Sequence, residues 1–438
     1  MQVVKMKVYF DCTFTYHSGL NTGIQRVVRN IISRDHFYTV KYGVDTASVI
    51  SFNNHYYEID RAFVLNSKPV TASIGQRIKT GFDRVRQGTL KLFSPEGVFF
   101  DGVVQSFDAV EWCLKKLFWV IKTLRVFRTI RVSGNKRVHF DKDDKLILVD
   151  AFWTYDIAKS LNNTKLPREQ IYSLIYDLIP VNHPEFVEEL TQPLFMKRLP
   201  ELASRVKNFI GISNSVATEL KEYLDTVLPD GNFNLDYFLL GSDFRPPKQS
   251  ETIPKREGYE AIFEGAPVWL VVGTIEPRKN HAFILDVFDR VWRQGRQDKL
   301  VIIGRIGWKC DHVIARMQHH PELNKKLFFF ADASDEELLF AYKNAQGLIF
   351  ASYVEGFGLP IVEAMASGLR VFCSEIPVFR EVGGDYPQYF PLGDTNPLLD
   401  LISKNQKDIP PKPKKWMTWD ESADIFFGKL NSTQQENK

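Results

Sequence analysis

The chain reads as an α/β protein built from two Rossmann-like units, and three observations carry that reading. Short apolar runs alternate with helical patterns along most of its length, as parallel sheets with crossover helices require. Its 438 residues exceed what one core comfortably fills and suggest two domains. A polar stretch from Arg245 to Glu257, carrying Pro246, Pro247 and Pro254, divides it near the middle.

In the first half the candidate strands are Val8 to Phe10, Leu146 to Val149, Ile171 to Tyr176 and Phe209 to Ile212. Thr22-Gly23-Ile24-Gln25-Arg26-Val27 follows the first of them and opens an apolar-periodic helix. From about Arg61 to Val138 the pattern is poorer. Within that region Val110 to Arg131 interleaves aromatics with Lys115, Lys116, Lys122, Arg125, Arg128 and Arg131, a composition that invites a membrane-surface reading. Stepped at about 100° per residue, those cations spread around the whole circumference. That favours a partly buried helix whose long basic arms reach solvent, and leaves peripheral membrane contact open.

In the second half Val268 to Val272, Leu300 to Ile303, Leu327 to Phe330, Gly347 to Phe350 and Arg370 to Cys373 are the expected strands. Between the first two, Phe283, Ile284, Val287, Phe288 and Val291 make one apolar helical stripe. Ser334-Asp-Glu-Glu is a capping box that opens another helix, with Leu338, Leu339 and Tyr342 on one side. A second proline cluster, Pro410, Pro411 and Pro413, precedes a closing helix from Trp416 to Leu430, and the polar tail from Asn431 is expected to fray. The expected division is a first domain at residues 1–245, a linker at 246–257, a second domain at 258–415, and a closing helix and tail at 416–438.

Composition narrows the function. Lysine plus arginine is 56 against 53 for aspartate plus glutamate, a net charge of +3, which gives no electrostatic case for nucleic acid as partner. Cys12, Cys113, Cys310 and Cys373 lie far apart with no CxxC grouping, against a zinc site or disulfide framework and in keeping with a reducing cytosol. Asp11 interrupts any signal-peptide core, and no window offers the roughly 18 uncharged apolar residues of a membrane span. A soluble or peripheral cytoplasmic protein is expected, with the inner face of the membrane as an alternative location.

The strongest chemical signal is Glu355-Gly-Phe-Gly-Leu-Pro-Ile-Val-Glu363-Ala-Met-Ala-Ser-Gly368, directly after an expected strand. Gly356 and Gly358 allow close backbone approach to a ligand, and Pro360 suits a helix's first turn. A helix starting there presents free N–H groups to an anion such as a diphosphate. A glycosidase pair is disfavoured: eight residues of continuous helix would separate the two carboxylates by ~12 Å, beyond either glycosidase geometry.

These residues resemble the signature of retaining glycosyltransferases of the GT-B fold, particularly glycosyltransferase family 4. Val272-Gly273-Thr-Ile-Glu-Pro-Arg278-Lys279-Asn280, Ile303-Gly304-Arg-Ile-Gly307-Trp308, Asp335-Glu-Glu-Leu and Ser374-Glu-Ile-Pro-Val-Phe-Arg-Glu381 match in the same way, so the resemblance covers about Val268 to Tyr389 closely. It implies two Rossmann-like domains facing across a cleft, residues 1–245 as the acceptor-side domain and 258–415 as the nucleotide-sugar-binding domain. It implies that Glu355, with the backbone of Phe357, Gly358 and Leu359, faces the donor sugar and diphosphate. Glu363 would bind the nucleotide's ribose, and Arg278 and Lys279 would neutralise the diphosphate, whose charge develops most in the transition state. Many relatives carry Gly-Arg where this chain has Gly273-Thr274, and by the resemblance Arg278 would be the replacement cation, its other reading being a solvated arginine. In the first half, Gly23 matches the loop bounding the cleft. Tyr176-Asp177-Leu-Ile-Pro180-Val-Asn-His183-Pro184-Glu185 matches a segment in which many members have His-Asp. Tyr176 stands at the histidine position, leaving Asp177 as the preferred polar contact and His183 as a weaker one, equally readable as a histidine in a proline turn. Phe209-Ile-Gly-Ile-Ser213-Asn-Ser215 and Leu240-Gly241-Ser242-Asp243-Phe244 are read as architectural.

The expected activity is transfer of a hexosyl unit from a nucleotide-diphosphate sugar, GDP-mannose as the first guess, to a glycan or lipid-linked glycan. The resemblance implies front-face attack with the leaving phosphate as base, and therefore no protein nucleophile. Neither a metal nor a cofactor is expected. A GT-B epimerase or phosphorylase, and a catalytically silent sugar-nucleotide-binding subunit, are the alternatives.

Overall fold

The computed structural model describes residues 6–20, 22–66, 98–242, 256–404 and 414–432. A first sheet contains β1 (Lys7–Asp11), β2 (Asp45–Phe52), β3 (His55–Ile59), β4 (Lys145–Leu148), β5 (Ile171–Ile175), β6 (Asn208–Gly211) and β7 (Asn234–Tyr237), in the order β3-β2-β1-β4-β5-β6-β7. A second contains β8 (Val268–Val272), β9 (Lys299–Ile303), β10 (Leu327–Phe330), β11 (Gly347–Phe350), β12 (Arg370–Ser374) and β13 (Gln388–Phe390), in the order β10-β9-β8-β11-β12-β13. The second sheet's pairs are all parallel. In the first, β2 and β3 form an antiparallel pair joined by Asn53 and Asn54, both at positive φ, as a tight hairpin turn requires. Along the chain the boundary between the two compact units, Met1–Tyr172 and Ser173–Lys438, falls inside β5.

In the first unit the helix Gly23–Ile32 starts on a capping box between Thr22 and Gln25 and buries Val27, Val28, Ile31 and Ile32. In the second, Phe283, Ile284, Val287, Phe288 and Val291 of the helix His281–Arg293 are all buried, in one cluster with Trp269, Val271, Leu300 and Ile302. Burying each such side chain contributes roughly 1.5–3 kcal/mol before entropy is counted. The capping box at Ser334 forms: its Oγ accepts from Glu337 N at 3.1 Å and Glu337 Oε2 accepts from Ser334 N at 2.9 Å. The Oε1 of the same glutamate accepts from Arg256 Nε at 2.7 Å.

The expected strands of the second half coincide with β8, β10 and β11, and differ by one residue at β9 and β12. Four strands had no sequence-level expectation: β2, β3, β7 and β13. Both β7 and β13 are short, and β7 lies at a sheet edge with no buried residue, so neither carries an apolar period long enough to read. The expected helix at Val110 to Arg131 lies inside a longer one, Val98–Val132. Along 120–132 it is anchored by Val126, Thr129 and Ile130, while Val120, Ile121, Leu124, Phe127 and Val132 are exposed. The expected partly buried helix with basic arms in solvent is found, Lys116, Lys122, Arg128 and Arg131 being exposed, and apolar side chains face solvent beside them. The expected linker lies outside the described residues up to 255, as does the proline cluster at 410–413. The closing helix runs Trp419–Ser432, past the start expected for the frayed tail. Before it, Trp416 Nε1 donates to Leu240 O at 2.8 Å, and a Cβ at Gly241 would meet Trp419 N at 2.4 Å, so glycine lets the two segments touch.

Candidate active site

Glu355 lies in the loop between β11 and the helix Leu359–Ala366, beside the loop that follows β8. Adjacent strands β8 and β11 mark the point where the second sheet reverses its order of progression. Ligands of open parallel sheets bind beyond such strand ends.

The Glu355 side chain is 8% exposed and bridges two cations: its Oε2 pairs with Arg278 Nη1 at 2.5 Å and its Oε1 with Lys279 Nζ. Ser352 Oγ donates to the same Oε1 at 2.9 Å. Burial pushes this carboxyl upward, but the guanidinium and ammonium overcome it and hold the group at about 2. Arg278 is shared: its Nη2 pairs with Glu276 Oε1 at 2.6 Å, and its Nη1 donates to Val354 O at 3.2 Å. Lys279 Nζ lies 4.5 Å from the centre of the Phe350 ring, and burial draws its pKa down against the pull of Glu355. Glu276 is raised by burial, and its Oε2 is buried without a hydrogen-bond partner. Asp177, just past β5, is likewise raised by burial, with Arg278 opposing; its Oδ1 accepts from Ile179 N at 3.2 Å. The cluster therefore holds two cations, one firmly ionised carboxylate, and two carboxyls whose ionised form burial disfavours.

Glycines set the loop positions. A Cβ on Gly356 would lie 1.9 Å from Tyr176 O, and Ser213 Oγ donates to Gly356 O at 2.9 Å. Gly358 is the N-cap at φ +104°, with Pro360 in the first turn. Gly273 has φ +146°, and a Cβ on Gly304 would strike its carbonyl oxygen at 1.8 Å, so the loops after β8 and β9 press together.

The site residues expected from sequence divide into three groups. Glu355, Arg278, Lys279 and Asp177 form one electrostatic cluster; Gly273, Phe357, Gly358 and Leu359 belong to the loops that frame it. Phe357 is buried, edge-on to Trp416 at 6.2 Å. Glu363 is 2% exposed and accepts from Tyr342 O–H at 2.9 Å, so its carboxylate is already engaged inside the fold. Of the eight steps from Glu355 to Glu363, the helix covers the last part only, beginning at Leu359. His183 pairs with exposed Glu185 at 3.3 Å and is joined to the cluster through intervening residues: it stacks on Phe186 at 5.8 Å, Phe186 stacks on Tyr353 at 5.5 Å, and Tyr353 N donates to Arg278 O at 2.8 Å. Gly23 belongs to the other unit, at the start of its helix; a Cβ there would meet nothing within 4 Å, so packing does not demand glycine.

Sequence reasoning overlooked Glu276, Ser352, Phe186 and Tyr353. Glu276 sat within a quoted motif and Ser352 three residues before Glu355. Nothing in the sequence pairs Phe186 with Tyr353. The two segments around Ser213 and Glu381 also meet: Glu381 accepts from Asn214 N at 2.7 Å and from Ser215 N at 2.9 Å, capping the helix Asn214–Val227.

Residues 254–390 match the family model described as glycosyl transferases group 1. The serotype-specific mannosyltransferase WbdA of Escherichia coli is 33% identical over 311 residues, 68% of this chain and 38% of that protein. The O-antigen chain mannosyltransferase B of Escherichia coli is 26% identical over 218 residues, 50% of this chain and 56% of its own length. The chain thus spans well under two thirds of these relatives. The crystal structure of Anabaena Alr3699/HepE in complex with UDP and glucose superposes with a TM-score of 0.52 at 14% identity, over 99% of this chain and 98% of that one. Two mainly parallel sheets with alternating helices, the strand order of the second, and this superposition together make the fold that of the GT-B glycosyltransferases, with the group 1 signature in its second half.

Proposed function

We propose that the chain is a retaining, metal-independent mannosyltransferase of glycosyltransferase family 4. It would take mannose from GDP-mannose in the cytoplasm and pass it to a hydroxyl of a glycan or lipid-linked glycan during surface-polysaccharide synthesis. The family match and the mannosyltransferase names of its relatives support the reaction class. The observation that carries the reading is the double cation pair on Glu355 beside a glycine-capped helix start at the second sheet's reversal point.

The physical argument is one of exchange. Arg278 and Lys279 are partly covered, 19% and 10% exposed, and already paired with Glu355, so an arriving diphosphate meets pre-oriented cations rather than mobile surface ones. Its oxygens take over the guanidinium and ammonium, and the first amides of the helix Leu359–Ala366 add further donors. The displaced Glu355 carboxylate then accepts from hydroxyls of the donor sugar. Glu363 would reach the ribose by sharing its carboxylate with Tyr342. Asp177 and His183 would contact sugar hydroxyls. Two fixed cations supply the neutralisation a divalent ion gives elsewhere, and the leaving phosphate serves as base for the acceptor.

The test is to incubate the purified chain with GDP-mannose, and in parallel UDP-glucose, plus mannose-terminated oligosaccharides, following nucleotide release and product mass. Acceptor-dependent GDP release, unchanged by EDTA, with an α-linked product by NMR is expected. Binding without turnover would favour the silent-subunit reading, for which Tyr176 at the histidine position is the supporting feature; its ring is buried. No binding of any nucleotide sugar would overturn the proposal.

A further inference from the structure

The helix Val98–Val132 carries a face that the described residues of its own unit leave largely exposed, Phe127 touching Phe52 edge-on at 5.0 Å. Toward the fold it offers Val126, Thr129 and Ile130, all buried, with Tyr16 O–H donating to Thr129 Oγ1 at 2.7 Å. On the opposite side Leu117, Val120, Ile121, Leu124 and Phe127 follow one another at spacings of three, one, three and three residues, which places them on one stripe. All are exposed, Leu124 at 62% and Phe127 at 53%, and Val132 at the helix end reaches 67%. Val110 and Trp112 extend the exposed apolar surface toward the N-terminus, giving ~33 Å from Val110 to Val132 at the rise of an α-helix. Apolar surface on this scale is unusual for a face left in water.

Charge distinguishes what could cover it. From Trp112 to Val132 the sequence has no acidic residue, and it carries Lys115, Lys116, Lys122, Arg125, Arg128 and Arg131. Arg128 and Arg131 are exposed and continue the apolar stripe, at the positions where a paired helix would expect two more apolar side chains. A second copy docked in parallel would set these arginines against their own equivalents, which like-charge repulsion disfavours. Lys116 and Lys122 are also exposed, and Lys116 Nζ lies 5.3 Å from the Trp112 ring centre. Long basic arms around an apolar stripe can lift their charges to a headgroup layer while Leu, Phe and Trp enter the acyl boundary. The spread of cations around the helix, which weakens a one-faced reading from sequence, divides once the buried side is known: Arg125 lies over the Tyr16 ring and Lys122 on the side of Thr129, while Arg128 and Arg131 fall on the exposed stripe.

We infer that this helix is an anionic-membrane-binding surface: it lies in the headgroup region of a bilayer containing acidic phospholipid, with Leu117, Val120, Ile121, Leu124 and Phe127 inserted and Arg128 and Arg131, which lie on the same side, on lipid phosphates. The inference does not depend on the transferase reading, since it rests on a different unit and different residues.

Co-sedimentation of the full chain with phosphatidylcholine vesicles, with and without phosphatidylglycerol, tests it at low and high salt. Binding to the phosphatidylglycerol vesicles that exceeds binding to pure phosphatidylcholine about tenfold or more, and weakens at high salt, is expected. The double variant Leu124→Glu/Phe127→Glu changes exposed positions and should keep the wild-type circular dichroism and nucleotide-sugar affinity while losing about tenfold or more of vesicle binding; Arg128→Glu/Arg131→Glu should do the same. Wild-type protein left in the supernatant with phosphatidylglycerol vesicles would overturn the inference. So would equal binding by folded variants, or a dimer in solution that the Leu124→Glu/Phe127→Glu change converts to monomer.

Discussion

Each sheet reverses its order of progression once, between β1 and β4 in the first and between β8 and β11 in the second, and both places hold buried carboxyls. In the first unit Asp11 accepts from Thr13 Oγ1 at 2.5 Å, from Tyr56 O–H at 3.3 Å and from Tyr155 O–H, while Asp150 accepts from Thr15 N at 2.5 Å and Ala151 N at 2.9 Å. The bonding partners are hydroxyls and amides. Desolvation outweighs them: both carboxyls are pushed up, Asp150 to about 7. Glu355 is slightly more exposed, with 8% of its side chain reaching solvent, and two bonded cations hold it at about 2. Burial alone does not settle the charge of a carboxyl; the presence of a bonded counter-ion does. The same strand-end position therefore gives a neutralisable hydrogen-bonded knot in one unit and a permanently ionic one in the other.

The sharpest way to break that contrast is Glu355→Gln, which keeps the shape and removes the charge. Lys279 then loses its anion and Arg278 keeps only Glu276, so unfolding free energy by denaturant titration should drop by roughly 3 kcal/mol, and transfer by ~100-fold or more. A loss below about 1 kcal/mol would show that the carboxylate is not their counter-ion. Lys279→Met should weaken nucleotide-sugar binding by roughly 10- to 100-fold in calorimetry, the worth of one charge-assisted hydrogen bond.

The pH responses of the two knots have opposite sign. Glu355, lowered on folding, contributes stability that is present above its unfolded pKa near 4.3 and lost as pH falls toward 2. Asp150, raised on folding, binds a proton more readily when folded, so its contribution falls as pH rises from about 4 to about 7. Thermal melts of Asp150→Asn should therefore improve relative to wild type as pH rises through that window, by on the order of a few kcal/mol. A difference that does not change with pH would mean Asp150 is ionised throughout. The smallest effect is expected at Gly23→Ala: with open space around the new methyl, stability should stay within about 0.5 kcal/mol. A several-fold drop in acceptor-dependent transfer at unchanged stability would assign that space to ligand.

Much of the second sheet was legible because its strands are continuous apolar runs between amphipathic helices. The capping box at Ser334 and the stripe of Phe283 to Val291 obey local rules that need no tertiary partner. The edge strand β7 and the three-residue β13 were not legible, since neither buries enough to impose a period. In the site, Glu355, Arg278 and Lys279 could be named from their motifs. That Arg278 would be divided between Glu276 and Glu355 could not, because the partners are fixed by where two strand ends meet.

The sequence by itself determined the alternation of strands and helices, the glycine-rich loops and the stock of ionisable groups. Those follow from residue type and spacing. Only the tertiary structure decided which carboxyls keep their charge, which side of the helix Val98–Val132 is covered, and that Gly356 touches the carbonyl of Tyr176. Each of these depends on desolvation or steric approach between residues remote in the chain, and neither quantity exists until the sheets have formed.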